Sequence, residues 1–189
     1  MARRGEVVEN PITGERITFL ETTGDTGGEL LRFEYVLPPR FSIPEHVHPR
    51  QEERHEVLSG TLRGRVGGRE RDFGEGERVI GPAGVPHAWR NPSEDKELCI
   101  VSELRPALRM EAVLETLFGL ARDGKTFGGL VPRNPLRLAV MASEVRDDFY
   151  STGAPIPVQK ALFALLEPLA FVGRRLGYGN RYPEYRGPA

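Results

Sequence analysis

His46-Val47-His48-Pro49-Arg50-Gln51-Glu52-Glu53-Arg54-His55-Glu56-Val57-Leu58-Ser59-Gly60 holds three of the four histidines in this 189-residue chain. In an extended strand successive side chains point to opposite faces, so His46 and His48 share one face. After a short turn the same rule puts Glu53, His55 and Val57 together and leaves Glu52 pointing outward. Gly60 then permits a tight turn.

The fourth histidine, His87, ends a second patterned stretch, Gly76-Glu77-Arg78-Val79-Ile80-Gly81-Pro82-Ala83-Gly84-Val85-Pro86-His87, which continues to Trp89 and Asn91. Its Pro-x-Gly turn can present His87 at the start of another strand. In an antiparallel barrel, His46, His48, Glu53 and His87 can converge inside. The surrounding sequence supports such a barrel. From about residue 6 to 104, β-rich runs such as Arg16–Leu20 and Leu31–Leu37 alternate with frequent turn signals. Gly67-Gly68, between Leu62–Val66 and Arg69–Phe73, suits a two-residue hairpin with positive φ. Many short strands at close spacing predict a sandwich or barrel.

These two stretches resemble the two motifs of the cupin superfamily. The first fits HxH(x)4E(x)6G at His46, His48, Glu53 and Gly60. The second fits G(x)5PxG(x)2H(x)3N at Gly76, Pro82, Gly84, His87 and Asn91. The resemblance implies a mainly β fold, a double-stranded β-helix (jelly-roll) barrel, often dimeric, holding one mononuclear metal. One position departs from the pattern: His55 stands where family members often carry Phe or another apolar residue.

Three imidazoles and one carboxylate suit a divalent first-row metal (iron, manganese, nickel, copper, zinc or cobalt) and do not suit calcium, which prefers all-oxygen sites. The imidazoles bind in their neutral form, so metal is expected to leave as pH falls below the histidine range. Glu53 is a candidate base as well as a ligand. Phe41, His55 and Trp89 are candidates for the wall that meets a small-molecule substrate or ligand. Asn91 is expected to organise the turn after its strand. With two positions open on an octahedral ion, the site suits a dioxygenase-like oxidoreductase acting on a small organic substrate. It equally admits a Lewis-acid isomerase, epimerase or lyase on a sugar-like or hydroxy-carbonyl compound, or a non-catalytic ligand-binding protein.

Beyond residue 104 the period changes. The expected division is a cupin barrel over 1–104 and a helical extension over 105–189, packed on the barrel or on a partner subunit. Pro106 suits a first helical residue, with Leu108, Val113, Leu114, Leu117, Phe118 and Ala121 following at helical spacing and Asp123-Gly124 as the stop. Asn134-Pro135 opens a second helix to about Asp148. A third runs from about Pro157 to Leu176, with the stripe Val158, Ala161, Leu162, Leu165, Leu166, Leu169 and Val172 and a kink expected at Pro168. Loops are expected at 124–134 and 149–157. The aromatic tail from Tyr178 to Tyr185 is expected to pack as an extended strap.

With 26 basic and 27 acidic residues the net charge of -1 gives no footprint for nucleic acid or an anionic membrane, and no helix-turn-helix signature flanks the barrel. Ala161–Val172, interrupted by Glu167-Pro168, falls short of the roughly 20 apolar residues of a span. The start of the chain has no apolar signal-type run, and Cys99 is the single cysteine, in a strand-like apolar run where it reads as a small buried hydrophobe. The expected setting is cytoplasmic, with a homodimer as the expected assembly.

Overall fold

The alternating residues of the first half fold into two facing antiparallel sheets. A computed structural model describes residues 2–179 and residue 182. Ten strands come first: β1 Val7–Glu9, β2 Arg16–Glu21, β3 Leu31–Leu37, β4 Ser42–Val47, β5 Glu52–Ser59, β6 Leu62–Val66, β7 Arg69–Phe73, β8 Arg78–Gly81, β9 His87–Arg90 and β10 Leu98–Arg105. The extension follows as α1 Met110–Arg122, β11 Thr126–Phe127, β12 Val131–Pro132, α2 Pro135–Val145, β13 Tyr150–Ser151 and α3 Ile156–Arg175. One sheet has the order β1-β2-β3-β10-β5-β8, the other β13-β4-β9-β6-β7. This is the jelly-roll barrel that the motifs imply, followed by the three helices that the apolar spacing predicts.

The core lies between the sheets because each strand turns its alternate apolar residues inward. On β10, Leu98, Ile100, Ser102 and Leu104 are buried while Cys99, Val101 and Glu103 between them are only partly covered. Cys99 is therefore half-buried on the outer face, a correction to the buried position expected for it, and burial with Glu34 nearby pushes its thiol up. The hairpin at Gly67-Gly68 forms as expected: β6 pairs with β7 from Leu62↔Phe73 to Val66↔Arg69, and both glycines have positive φ.

The extension departs from its expected outline in four places. Pro106 precedes α1 instead of opening it. Gln51 Nε2 donates to the Pro106 and Ala107 carbonyls (2.7 and 3.1 Å), and the Ala107 N–H donates to the Gly28 carbonyl at 3.0 Å. Leu108, expected on the helical stripe, has φ +48, a left-handed conformation that a right-handed helix does not admit, so α1 begins after it, at Met110. Asn134 caps α2 as expected, its Oδ1 accepting from the Leu136 and Arg137 N–H groups. The helix ends at Val145, three residues early, because Asp148 is drawn into contact with the barrel. The loops at 124–134 and 149–157 contain the short strands β11, β12 and β13.

The fourth departure concerns α3. It lies within one residue of its expected bounds and continues through Pro168. Its buried residues are Ala170 and Gly173, which pack on α2. A Cβ at Gly173 would sit 2.8 Å from Val140 Cγ2 and 3.0 Å from the Leu136 carbonyl oxygen, so small residues set this contact. The leucine stripe expected to dock is largely exposed: Leu162 is 54% and Leu165 75% exposed. Glu167, which interrupts the run in the sequence, is paired with Arg174 and accepts from Ser143 Oγ. By length and composition α3 is long enough and apolar enough to cross a membrane, contrary to the shorter count made on Ala161–Val172. Of the aromatic strap expected at 178–185, only Tyr178, Gly179 and Tyr182 fall within the described residues. Tyr182 packs with Leu120 and Met141, and its hydroxyl donates to Asp123.

Candidate metal centre

Facing strands of the two sheets bring the four expected residues together. His46 on β4 pairs across the ladder with His87, the first residue of β9. His48 follows β4 directly. Glu53 is the second residue of β5 on the opposite sheet, paired with Gly81 of β8 and with Leu104 of β10. One ligand atom from each of His46, His48, Glu53 and His87 can be chosen so that all lie within 4.8 Å of one another, and all four residues are buried. Gly81 makes room for the last of them: a Cβ there would come within 2.9 Å of His87 Nδ1.

Backbone carbonyls orient the three imidazoles. Nδ1 of His46 lies 2.8 Å from the Pro44 carbonyl oxygen, Nδ1 of His87 2.8 Å from that of Val85, and Nδ1 of His48 2.8 Å from that of Asp148. A carbonyl oxygen only accepts, so each Nδ1 carries the proton. In the neutral ring Nε2 then carries the lone pair. Burial pushes the His48 pKa down, which favours that neutral form.

Glu53 sits among these lone pairs. Its Oε2 lies 3.1 Å from His87 Nε2 and 3.7 Å from His46 Nε2. In this tautomer the ring nitrogens that Glu53 faces on His46 and His87 have no proton to donate, and burial without a cation beside it penalises a carboxylate charge. His87 Nε2 is buried and has no hydrogen-bond partner. Acceptors converging without donors repel unless a cation lies between them, so the arrangement fits a metal ion.

The neighbouring residues hold the carboxylate in place. Trp89, 1% exposed, donates Nε1–H to Glu53 Oε2 at 2.9 Å, and its ring packs on His55 and His87. His55 Nε2 is 3.3 Å from Glu53 Oε1, off the line of a hydrogen bond, and its Nδ1 is 2.9 Å from Ser102 Oγ. Both rings thus lie in the wall around Glu53. Phe41 packs at the edge of the barrel core and, among the described residues, makes none of the ring contacts that join the histidines. Asn91 organises its turn as expected: Nδ2 reaches the Leu37, Pro38 and Lys96 carbonyls, and Oδ1 accepts from the Ser93 N–H. Glu52 faces away and pairs with Arg54.

Three participants had been missed. Ser102 carried a usable signal, since it is the lone polar residue on the inward face of β10. Asp148 and Phe149 carried none. They come from the extension, about 100 residues from the histidines in sequence, and Phe149 stacks on His46 with centroids 5.0 Å apart.

The family model described as Cupin domain matches residues 33–102. No curated protein matches the chain. Among solved structures, a Thermus thermophilus protein is 29% identical over 42% of this chain and 74% of its own, with a TM-score of 0.40. A predicted oxalate decarboxylase from Thermotoga maritima is 18% identical over 56% of this chain and 99% of its own, with a TM-score of 0.48. A DMSP lyase from Ruegeria pomeroyi is 29% identical over 41% of this chain and 39% of its own, with a TM-score of 0.37. The matched residues run from β3 to β10 and enclose all four clustered side chains, so it is the barrel that matches the cupin family.

Proposed function

We propose that this protein is a mononuclear metal-dependent oxidoreductase, dioxygenase-like, acting on a small organic substrate, with His46, His48, Glu53 and His87 as the metal ligands. The observation that carries this reading is the convergence of three lone-pair nitrogens on a buried carboxylate. A redox-active divalent metal bound there would supply activation of dioxygen or of a chelating substrate. The protein's own residues do the rest. Backbone carbonyls hold each imidazole as the Nδ1–H tautomer. The Trp89 N–H pins one oxygen of Glu53, and His55, backed by Ser102, stands beside the other. Glu53 serves as ligand and as the candidate base. His55, Trp89 and Phe41 are proposed as the wall toward the substrate.

The same proposal divides the chain into a barrel, 1–104, that supplies the ligands and an extension, 105–189, that covers it. It places a second copy against the exposed stripe of α3, in a cytoplasmic homodimer. Elemental analysis of protein purified without added metal, joined to oxygen-uptake assays on a substrate panel, tests the reaction class. Iron, manganese, copper or nickel with oxygen uptake supports it. Zinc with no uptake overturns it in favour of Lewis-acid chemistry on a hydroxy-carbonyl compound, or of ligand binding alone. Sedimentation of the purified chain tests the dimer.

A further inference from the structure

The extension meets the candidate metal centre through residues 148–152. The Asp148 carbonyl accepts from His48 Nδ1 at 2.8 Å. The Asp148 carboxylate pairs with Arg50, two residues past His48. The Phe149 ring stacks on His46 (5.0 Å between centroids, 22° between planes) and meets His48 edge-on at 5.6 Å. Tyr150 and Ser151 then pair with Val47 and His46 of β4, and Thr152 donates to the Glu45 carbonyl. Gln159 at the start of α3 holds the far side, bonding both the N–H and the carbonyl of Ser151. One short segment thus lies along the strand that carries two of the histidines.

The attachment is uneven. Tyr150 and Asp148 are buried, whereas the Phe149 ring is half-buried and the Arg50 end of the ion pair is largely exposed. The less buried part of such a segment opens locally at free energies far below that of global unfolding. We propose that residues 148–152 form a lid over the histidine cluster, with Phe149 as its cover and the Arg50–Asp148 pair as its latch. Solutes, metal ions included, reach His46 and His48 when this segment lifts. Lifting also removes the acceptor that orients His48, so an open lid holds metal less well than a closed one. The part concerning metal rests on the function proposed above; the accessibility of the histidines does not.

The composition of the chain supplies a clean test. Its four histidines all lie at this site, so modification of the full-length protein by diethyl pyrocarbonate, followed as histidine loss, reports on the site alone. Replacing Phe149→Ala removes two ring contacts and is expected to speed modification about fivefold to tenfold. Arg50→Ala, which breaks the latch at a largely exposed side chain, is expected to speed it roughly twofold to fivefold. Phe149→Leu, which keeps an apolar cover, should stay close to the parent. Phe127→Ala, an exposed phenylalanine elsewhere in the extension, should match it. Equal rates in Phe149→Ala and the parent overturn the lid. So does equal acceleration by Phe149→Ala and Phe127→Ala, which marks general loosening.

Cobalt(II) gives the second arm. It should protect the histidines, and its transfer to a chelator should quicken in Phe149→Ala by a factor similar to that seen for modification. Failure of cobalt to bind or protect counts against the metal reading, while the modification rates measured without metal still decide the lid.

Discussion

Strand β10 and helix α3 are both rich in apolar residues and use them in opposite ways. On β10, Leu98, Ile100 and Leu104 are each at most 2% exposed, because β3 and β5 flank the strand and its inner face meets the opposite sheet. On α3, Val158, Leu162, Leu165, Leu169 and Val172 are between 40% and 75% exposed, because the helix packs mainly on α2, through Ala170 and Gly173, and meets β13 only near its start. A closed barrel satisfies its own apolar pattern. A helix laid on the outside satisfies only the face that has a partner and leaves the rest for something else to cover.

The largest expected effect lies inside the barrel. Trp89→Ala should cost about 3–5 kcal/mol in chemical denaturation, since it empties a large core site and frees Glu53 from its donor. A loss as small as that of a surface change would break the contrast between interior and outer helix.

Next comes the site itself. His48→Ala and Glu53→Ala should each weaken cobalt or manganese binding by about 100-fold or more in equilibrium titrations while the far-ultraviolet spectrum stays that of the folded barrel. Unchanged metal binding in His48→Ala would sink the ligand assignment.

A smaller effect is expected one layer out. Ser102→Ala removes the partner of His55 Nδ1 and should cost about 1–3 kcal/mol. It should also alter the spectrum of bound cobalt, because the ring beside Glu53 is then free to turn.

The smallest is on α3. Leu165→Ser should change monomer stability by no more than about 0.5 kcal/mol, yet shift a dimer toward monomer in sedimentation. A loss there approaching that of Trp89→Ala would mean that the stripe is already buried within one chain, and the comparison would fail.

Much of the barrel and of its histidine cluster was legible because each rests on short-range rules. A period of two puts His46 beside His48, and Glu53 beside His55 and away from Glu52. The Gly67-Gly68 turn sets one hairpin register, and the Pro-x-Gly turn opens the strand that starts with His87. The extension was legible only as helices. Local spacing marks an apolar stripe without saying what meets it, and in α3 the docking face belongs to the smallest residues. The start of α1 shifted because Leu108 takes a left-handed backbone conformation, with φ +48, that no local spacing announces.

The amino-acid sequence by itself determined the run of barrel strands, the presence of three helices, and which four side chains can share a metal, since alternation and turn chemistry act within a few residues. Only the tertiary structure decided the rest. It set the tautomer of each imidazole through carbonyls of Pro44, Val85 and Asp148, gave Glu53 its donor from β9, and set His55 of β5 against Ser102 of β10. It also laid Phe149 over His46. The physical reason is distance along the chain: a contact between residues 48 and 148 leaves no local period to read, and exists only once the backbone between them has folded.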